Sequence, residues 1–144
     1  RIENKISYGH TGFEVKITQN EKTASIRRDF TINSIMINIF TNEILDFWGG
    51  KEDIKNRIIK LIDKNKFKED SLRVLRAMQF SARFGFKIDK NTIQVCKNID
   101  LSDLSLDRIY KEFEKMFYSN HLFYGYYYFI KLDIDLKIFN QKFC

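Results

Sequence analysis

The period of the apolar positions changes along this chain, and each change marks an element. Phe13-Glu14-Val15-Lys16-Ile17 alternates apolar and polar residues, as a half-buried strand does. Ser25 then stands as a candidate cap for a short helix over 26–33, in which Arg28, Asp29 and Asn33 share an arc near Ile32. Residues 35–40 form a β-branched apolar run, Thr41-Asn42-Glu43 a tight connection, and Ile44-Leu45-Asp46 a second short strand, which together predict a hairpin. Gly49-Gly50 permits the turn that closes it. From Lys51 onward the period is mostly helical: a short turn or helix to 56, a strand-like piece at 57–62, a polar loop at 63–68, and a helix over 69–84 stopped by Gly85. Helices near 91–98 and 106–118 follow, the second capped by Ser105.

The helix over 69–84 separates its residue types. Asp70, Arg73, Arg76, Ala77 and Arg83 fall on one arc, and Val74, Leu75, Met78 and Ala82 on the opposite, apolar one. One face packs and the other is free to bind. A carboxylate one turn before an arginine sets an acceptor beside a forked donor, and that combination can recognise a nucleobase edge. Taken alone, the same i,i+3 pair is ordinarily a solvated salt bridge of small energetic value.

Composition narrows the setting. With 144 residues, 44% hydrophobic and 15% aromatic, the chain is about one domain long and can bury a core. Every apolar run is broken by lysine, aspartate or asparagine before it reaches membrane-spanning length. Export is unsupported, since no charged-then-apolar leader precedes the first strand, and a cytoplasmic protein is expected. A start at Arg1, with no methionine, reads as internal to a longer chain. Cys96 and Cys144, like His10 and His121, are isolated, so neither a zinc site nor a disulfide framework is expected. The formal charge of +6 favours an anionic partner, RNA or nucleotide phosphate. The aromatic stretch from His121 to Phe139 is either a stacking platform for bases or, the stronger reading, core or a hidden interface.

Three motifs in a fixed order carry a resemblance. Arg27-Arg28-Asp29-Phe30-Thr31-Ile32-Asn33, then Asp46-Phe47-Trp48-Gly49-Gly50 after a hairpin, then Glu69-Asp70-x-x-Arg73-x-x-Arg76, resemble the class II tRNA nucleotidyltransferase and bacterial poly(A) polymerase family. The likeness runs from Arg1-Ile2-Glu3 and Gly9-His10-Thr11-Gly12-Phe13 to the segment from Ser105 to Glu112, and is nearest to the bacterial CCA-adding enzymes. It implies an α+β fold: the C-terminal part of a polymerase-β-like head, a mixed sheet with helices, over 1–62, followed by an all-α neck over 63–144 that selects the base and binds RNA. By the same resemblance Arg28 and Asp29 meet the nucleotide's triphosphate and ribose, Asp70 and Arg73 face the base, Arg76 is a further nucleotide-binding arginine, and Asn33 joins this set. The implied reaction adds C and A from CTP and ATP to the tRNA 3′ end.

Departures from the family pattern qualify the expectation. Gln79 stands where the family usually has another arginine, and Phe47 and Ser71 stand where proline is frequent, so both loops should be looser. Phosphoryl transfer in this superfamily uses an Asp-x-Asp pair holding two metal ions, Mg2+ here, and that pair would precede Arg1. No catalytic or metal residue is therefore assigned in this chain, and the 144 residues alone should be inactive. Asp133-Ile134-Asp135 has the spacing but lacks the glycine-rich strand and turn before it. Poly(A) addition and a non-catalytic basic RNA-binding module remain open as alternatives.

Overall fold

The computed structural model describes residues 21–142; the strand expected at 13–17 and the glycine-rich loop before it lie outside them. The hairpin is present, with β1 (Met36–Ile37) antiparallel to β2 (Ile44–Leu45). Its strands are shorter than expected because the turn begins early. The Asn38 side chain accepts from the Phe40 N–H at 3.0 Å, and Asn42 takes a left-handed φ of 56°. Each of the two glycines that follow has its own reason. Gly49 is left-handed at φ +77°, whereas a Cβ on Gly50 would lie 2.3 Å from the Thr31 carbonyl oxygen. Asp46 then fixes the start of α1 (Gly50–Lys55), its two carboxylate oxygens accepting the Gly50 and Lys51 N–H groups at 2.8 Å each.

The helix expected over 26–33 is not there. Residues 21–25 are helical, Phe30 is extended at φ −126° and ψ 154°, and a single 3₁₀ turn spans Thr31–Asn33. Tertiary pairing outweighs local propensity at this point. Phe30 is fully buried against the rings of Phe67 and Phe80, with centroids 5.6 and 5.7 Å away. Its backbone forms an antiparallel bridge with Leu61, and the Thr31 N–H donates to the Lys60 carbonyl at 2.9 Å. Ser25 caps nothing; its hydroxyl donates to the Lys22 carbonyl and accepts from the Trp48 indole, both at 2.8 Å.

β3 (Ile58–Ile59) pairs in parallel with β4 (Lys87–Ile88). Between them the expected polar loop is instead α2 (Lys64–Lys68), capped by the Asp63 carboxylate, which accepts from the Lys66 N–H at 2.8 Å, and anchored by buried Phe67. α3 (Leu72–Phe84) begins later than expected, leaving Asp70 and Ser71 ahead of it, and ends at left-handed Gly85 as expected. α4 (Lys90–Lys97) is capped by Asp89 and α5 (Leu106–Phe117) by Ser105; α6 (Leu122–Lys131) and α7 (Ile134–Lys142) complete the described chain.

α3 is the central helix, packed by α5 and α6 and touching both strands of the parallel pair. It is consequently buried around more of its circumference than a two-faced helix would be. Ala77, expected on the open arc, is fully buried, and Gln79 and Ser81 are buried as well. Gly125 lets α6 approach closely, since a Cβ there would lie 2.7 Å from the Met116 side chain and 2.9 Å from Ala82. The aromatic stretch divides. Tyr128 is buried and its hydroxyl accepts from the Ile88 N–H at 2.9 Å, but Phe123 and Tyr126 stand 76% and 60% exposed, so the core reading fails for them. No helix among the described residues is long and apolar enough to cross a membrane.

Candidate nucleotide-binding site

The segment carrying Arg27, Arg28 and Asp29 has no regular structure of its own, so its position is set by what flanks it. Phe30 is locked into the core, and the Thr31 hydroxyl donates to Asp53 of α1 at 2.6 Å. On the other side of the same space, α3 begins beneath it. Asp29 joins the two. One of its oxygens accepts from the Phe30 N–H at 2.9 Å and the Asn33 amide at 3.0 Å, and the other takes Arg76 Nε at 2.6 Å. Arg76 also lies over the Phe80 ring, 4.9 Å from its centroid, which limits the poses its guanidinium can adopt.

Arg73 is anchored by main chain. Its Nη1 donates to the Lys66 carbonyl and its Nη2 to the Arg27 carbonyl, both at 2.6 Å. One guanidinium thus ties α2 to the segment before Phe30. Two of the five arginine donors are used in this way, and among the described residues the other three have no partner. Arg28 is exposed. Asp70 accepts from the Leu72 N–H and from Arg108 Nη2 of α5, each at 3.1 Å.

These groups enclose an open cleft of about 480 Å3, within the range of small-molecule sites. All six residues proposed from the sequence line it: Arg28, Asp29, Asn33, Asp70, Arg73 and Arg76. Four arginines, counting Arg27, face two aspartates there, and one of those aspartates is already engaged by Arg76. Positive charge with spare N–H donors suits phosphate oxygens, and a carboxylate beside a guanidinium suits a base edge.

The structure also revises parts of the expectation. Asp70 pairs with Arg108 rather than with Arg73. Asp29 is buried and, besides lining the cleft, braces Arg76. Arg83 lies over the Phe84 ring and does not reach the cleft, and Gln79 is buried away from it. Arg27, Leu72 and Arg108 were missed. Arg27 had a signal as part of the basic pair, whereas Arg108 had only its place in the segment from Ser105 to Glu112.

Among the described residues no cluster of three or more histidine, cysteine, aspartate or glutamate side chains could hold a metal ion. Asp133 is instead paired with Lys97 at 3.1 Å, and Ile134 between the two aspartates is fully buried. The described residues therefore do not fit a magnesium site. Cys96 is no nucleophile either, because burial pushes its thiol up to about 12.

Residues 1–60 match the family described as the Poly A polymerase head domain. The CCA-adding enzyme of Buchnera aphidicola subsp. Baizongia pistaciae is 42% identical over 132 residues, covering 84% of this chain and 30% of that protein. In sequence the chain is similar to the CCA-adding enzymes. The backbone agrees: a CCA-adding enzyme solved with CTP superposes with a TM-score of 0.77 at 28% identity, over 86% of this chain and 31% of its own. The Thermotoga maritima CCA-adding enzyme complexed with tRNA_CCA gives a TM-score of 0.76 at 29% identity, covering 84% of this chain and 31% of that one. Both the resemblance read from the three motifs and the α+β fold it implied are borne out. The chain spans about a third of the length of the curated relatives it matches, 32% and 30% for two of them.

Proposed function

We propose that this chain carries the nucleotide-selecting part of a CCA-adding tRNA nucleotidyltransferase, which extends the tRNA 3′ end from CTP and ATP. The observation that carries the reading is the convergence of six polar residues, from two separate stretches of chain, on one cleft. In this reading Arg28 and the η nitrogens of Arg76 take phosphate oxygens, while Asp70 and Arg73 meet the base. Cytosine and adenine both place an amino donor next to a ring-nitrogen acceptor, so one carboxylate and one guanidinium satisfy either. Guanine and uracil present the reverse order and would leave two desolvated groups unpaired, at about 1–3 kcal/mol each.

Residues 1–62 are taken as head and 63–144 as neck within the same proposal, and the setting as cytoplasmic. Transfer in this superfamily relies on metal ions that activate the attacking hydroxyl and neutralise the departing pyrophosphate. The carboxylates for Mg2+ are placed outside the described residues, so the part described selects nucleotide and does not transfer it.

Calorimetric titration tests this directly. CTP and ATP should bind at least roughly tenfold more tightly than UTP and GTP; equal affinities for all four would sink the reading. The Poly A polymerase head-domain match supports a second reading, addition of A alone. The complete gene product, given tRNA lacking its terminal nucleotides, separates the two. Incorporation from CTP favours the first, and repeated adenylation that ignores CTP favours the second.

A further inference from the structure

The proposed base-reading carboxylate is held from one side only. Both contacts to Asp70, from Arg108 Nη2 and from the Leu72 N–H, fall on Oδ1 at 3.1 Å. Oδ2 has no partner among the described residues, and Asp70 lines the cleft. A carboxylate gripped through one oxygen has its rotation fixed and its other oxygen available as an acceptor. Arg108 is itself well placed to do this. It lies in the first turn of α5, its N–H donates to the capping Ser105 hydroxyl at 3.4 Å, and the Ser71 hydroxyl donates to Asp103 at 2.7 Å. The approach to α5 is thereby fastened to the residue next to Asp70. The side chains of Arg108 and Asp70 are 46% and 40% exposed, so an ion pair here adds little stability. Its consequence is geometric.

We propose that Arg108 is a positioning residue for base selection, holding Asp70 so that Oδ2 accepts the amino group of cytosine or adenine. The inference rests on the nucleotide-selecting reading and goes beyond it by assigning the orientation of Asp70 to a residue on another helix. Without Arg108, Asp70 keeps only the Leu72 N–H and can turn. A turned carboxylate can accept the ring N–H of guanine or uracil, and discrimination falls although Arg73, held by the Lys66 and Arg27 carbonyls, stays in place.

The test compares the chain with Arg108→Ala and Arg108→Lys, each titrated with CTP, UTP, ATP, GTP and inorganic triphosphate. Arg108→Ala should lower the CTP-to-UTP and ATP-to-GTP affinity ratios by roughly tenfold. Its triphosphate affinity and melting transition should stay as in the parent, which a merely structural role would not predict. Arg108→Lys should restore most of the ratio, because the contact is a single N–H···O bond and not a fork. Parent-like ratios in Arg108→Ala, or equal losses for all ligands, would overturn the proposal while leaving the nucleotide-selecting reading intact. Should Arg108→Ala not fold, Arg108→Met, which keeps the apolar stem and removes the donors, takes its place: the ratios should fall as for alanine, and parent-like ratios overturn the proposal. If the parent chain shows no preference between bases, both readings fall together.

Discussion

Asp29 and Arg76, 47 positions apart in the chain, meet at 2.6 Å and join the irregular Arg27-Arg28-Asp29 segment to the central helix. The carboxylate side chain is 7% exposed and the arginine 31%. Asp29→Ala would strand the Phe30 N–H, the Asn33 amide and the Arg76 guanidinium at once. Removing one partner of a buried, hydrogen-bonded pair is costly because the other stays desolvated, and the partial exposure of Arg76 moderates this to about 2–4 kcal/mol. Urea unfolding measures that loss. Asp29→Asn keeps the shape and should lose less stability, yet still loosen Arg76 and weaken triphosphate binding by several-fold. Unchanged triphosphate affinity in Asp29→Asn would mean that the brace does not set the phosphate contacts.

The two adjacent glycines should respond differently to alanine. At Gly50 the obstacle is the Thr31 carbonyl, 2.3 Å from the added Cβ, with an Ile35 side-chain carbon at 2.9 Å. Main chain cannot rotate aside as a flexible side chain can, so Gly50→Ala should cost about 2–3 kcal/mol. It would also shift the turn that seats Asp29. At Gly49 nothing lies within 4 Å, and the only penalty is the left-handed φ of +77°, about 1 kcal/mol. Chemical denaturation of the two variants side by side gives the order. A Gly49→Ala loss equal to or larger than that of Gly50→Ala would contradict the steric assignment.

What could be read in advance follows from how far each signal reaches along the chain. The hairpin, the stop at Gly85 and the Ser105 cap depend on neighbours within a few residues, and each is present. The segment before Asn33 misleads because its conformation is decided by Leu61, Phe67 and Phe80, whose bridge and ring contacts with Phe30 leave no trace in the local pattern. The loop expected at 63–68 became a helix through one cap and one buried ring, Asp63 and Phe67, in a stretch whose lysines suggested solvent. Motif order brought six residues to one cleft, but not which of them pair. Asp70 and Arg108 are 38 positions apart, and no periodicity connects them.

Acid sensitivity should concentrate at the turn before α1. Burial, the largest single influence on Asp46, raises its pKa, but the backbone N–H groups of Lys51, Gly50, Trp48 and Gly49 together outweigh it and hold the carboxyl below its ordinary 3.8. A depressed folded-state value means that the ionised form is favoured by folding. Its stabilisation is therefore complete above the unfolded value near 3.8 and is lost as pH falls through the folded value. Asp46→Asn keeps an acceptor at the start of α1 without the charge that complements the helix N-terminus, and should cost about 1 kcal/mol at neutral pH. Melting temperatures measured from about pH 6 to about pH 3 should accordingly converge, with the parent falling more steeply than the variant at the acid end. Parallel curves would show that the carboxylate's charge is not what secures the Gly49-Gly50 turn, and with it the floor beneath Thr31.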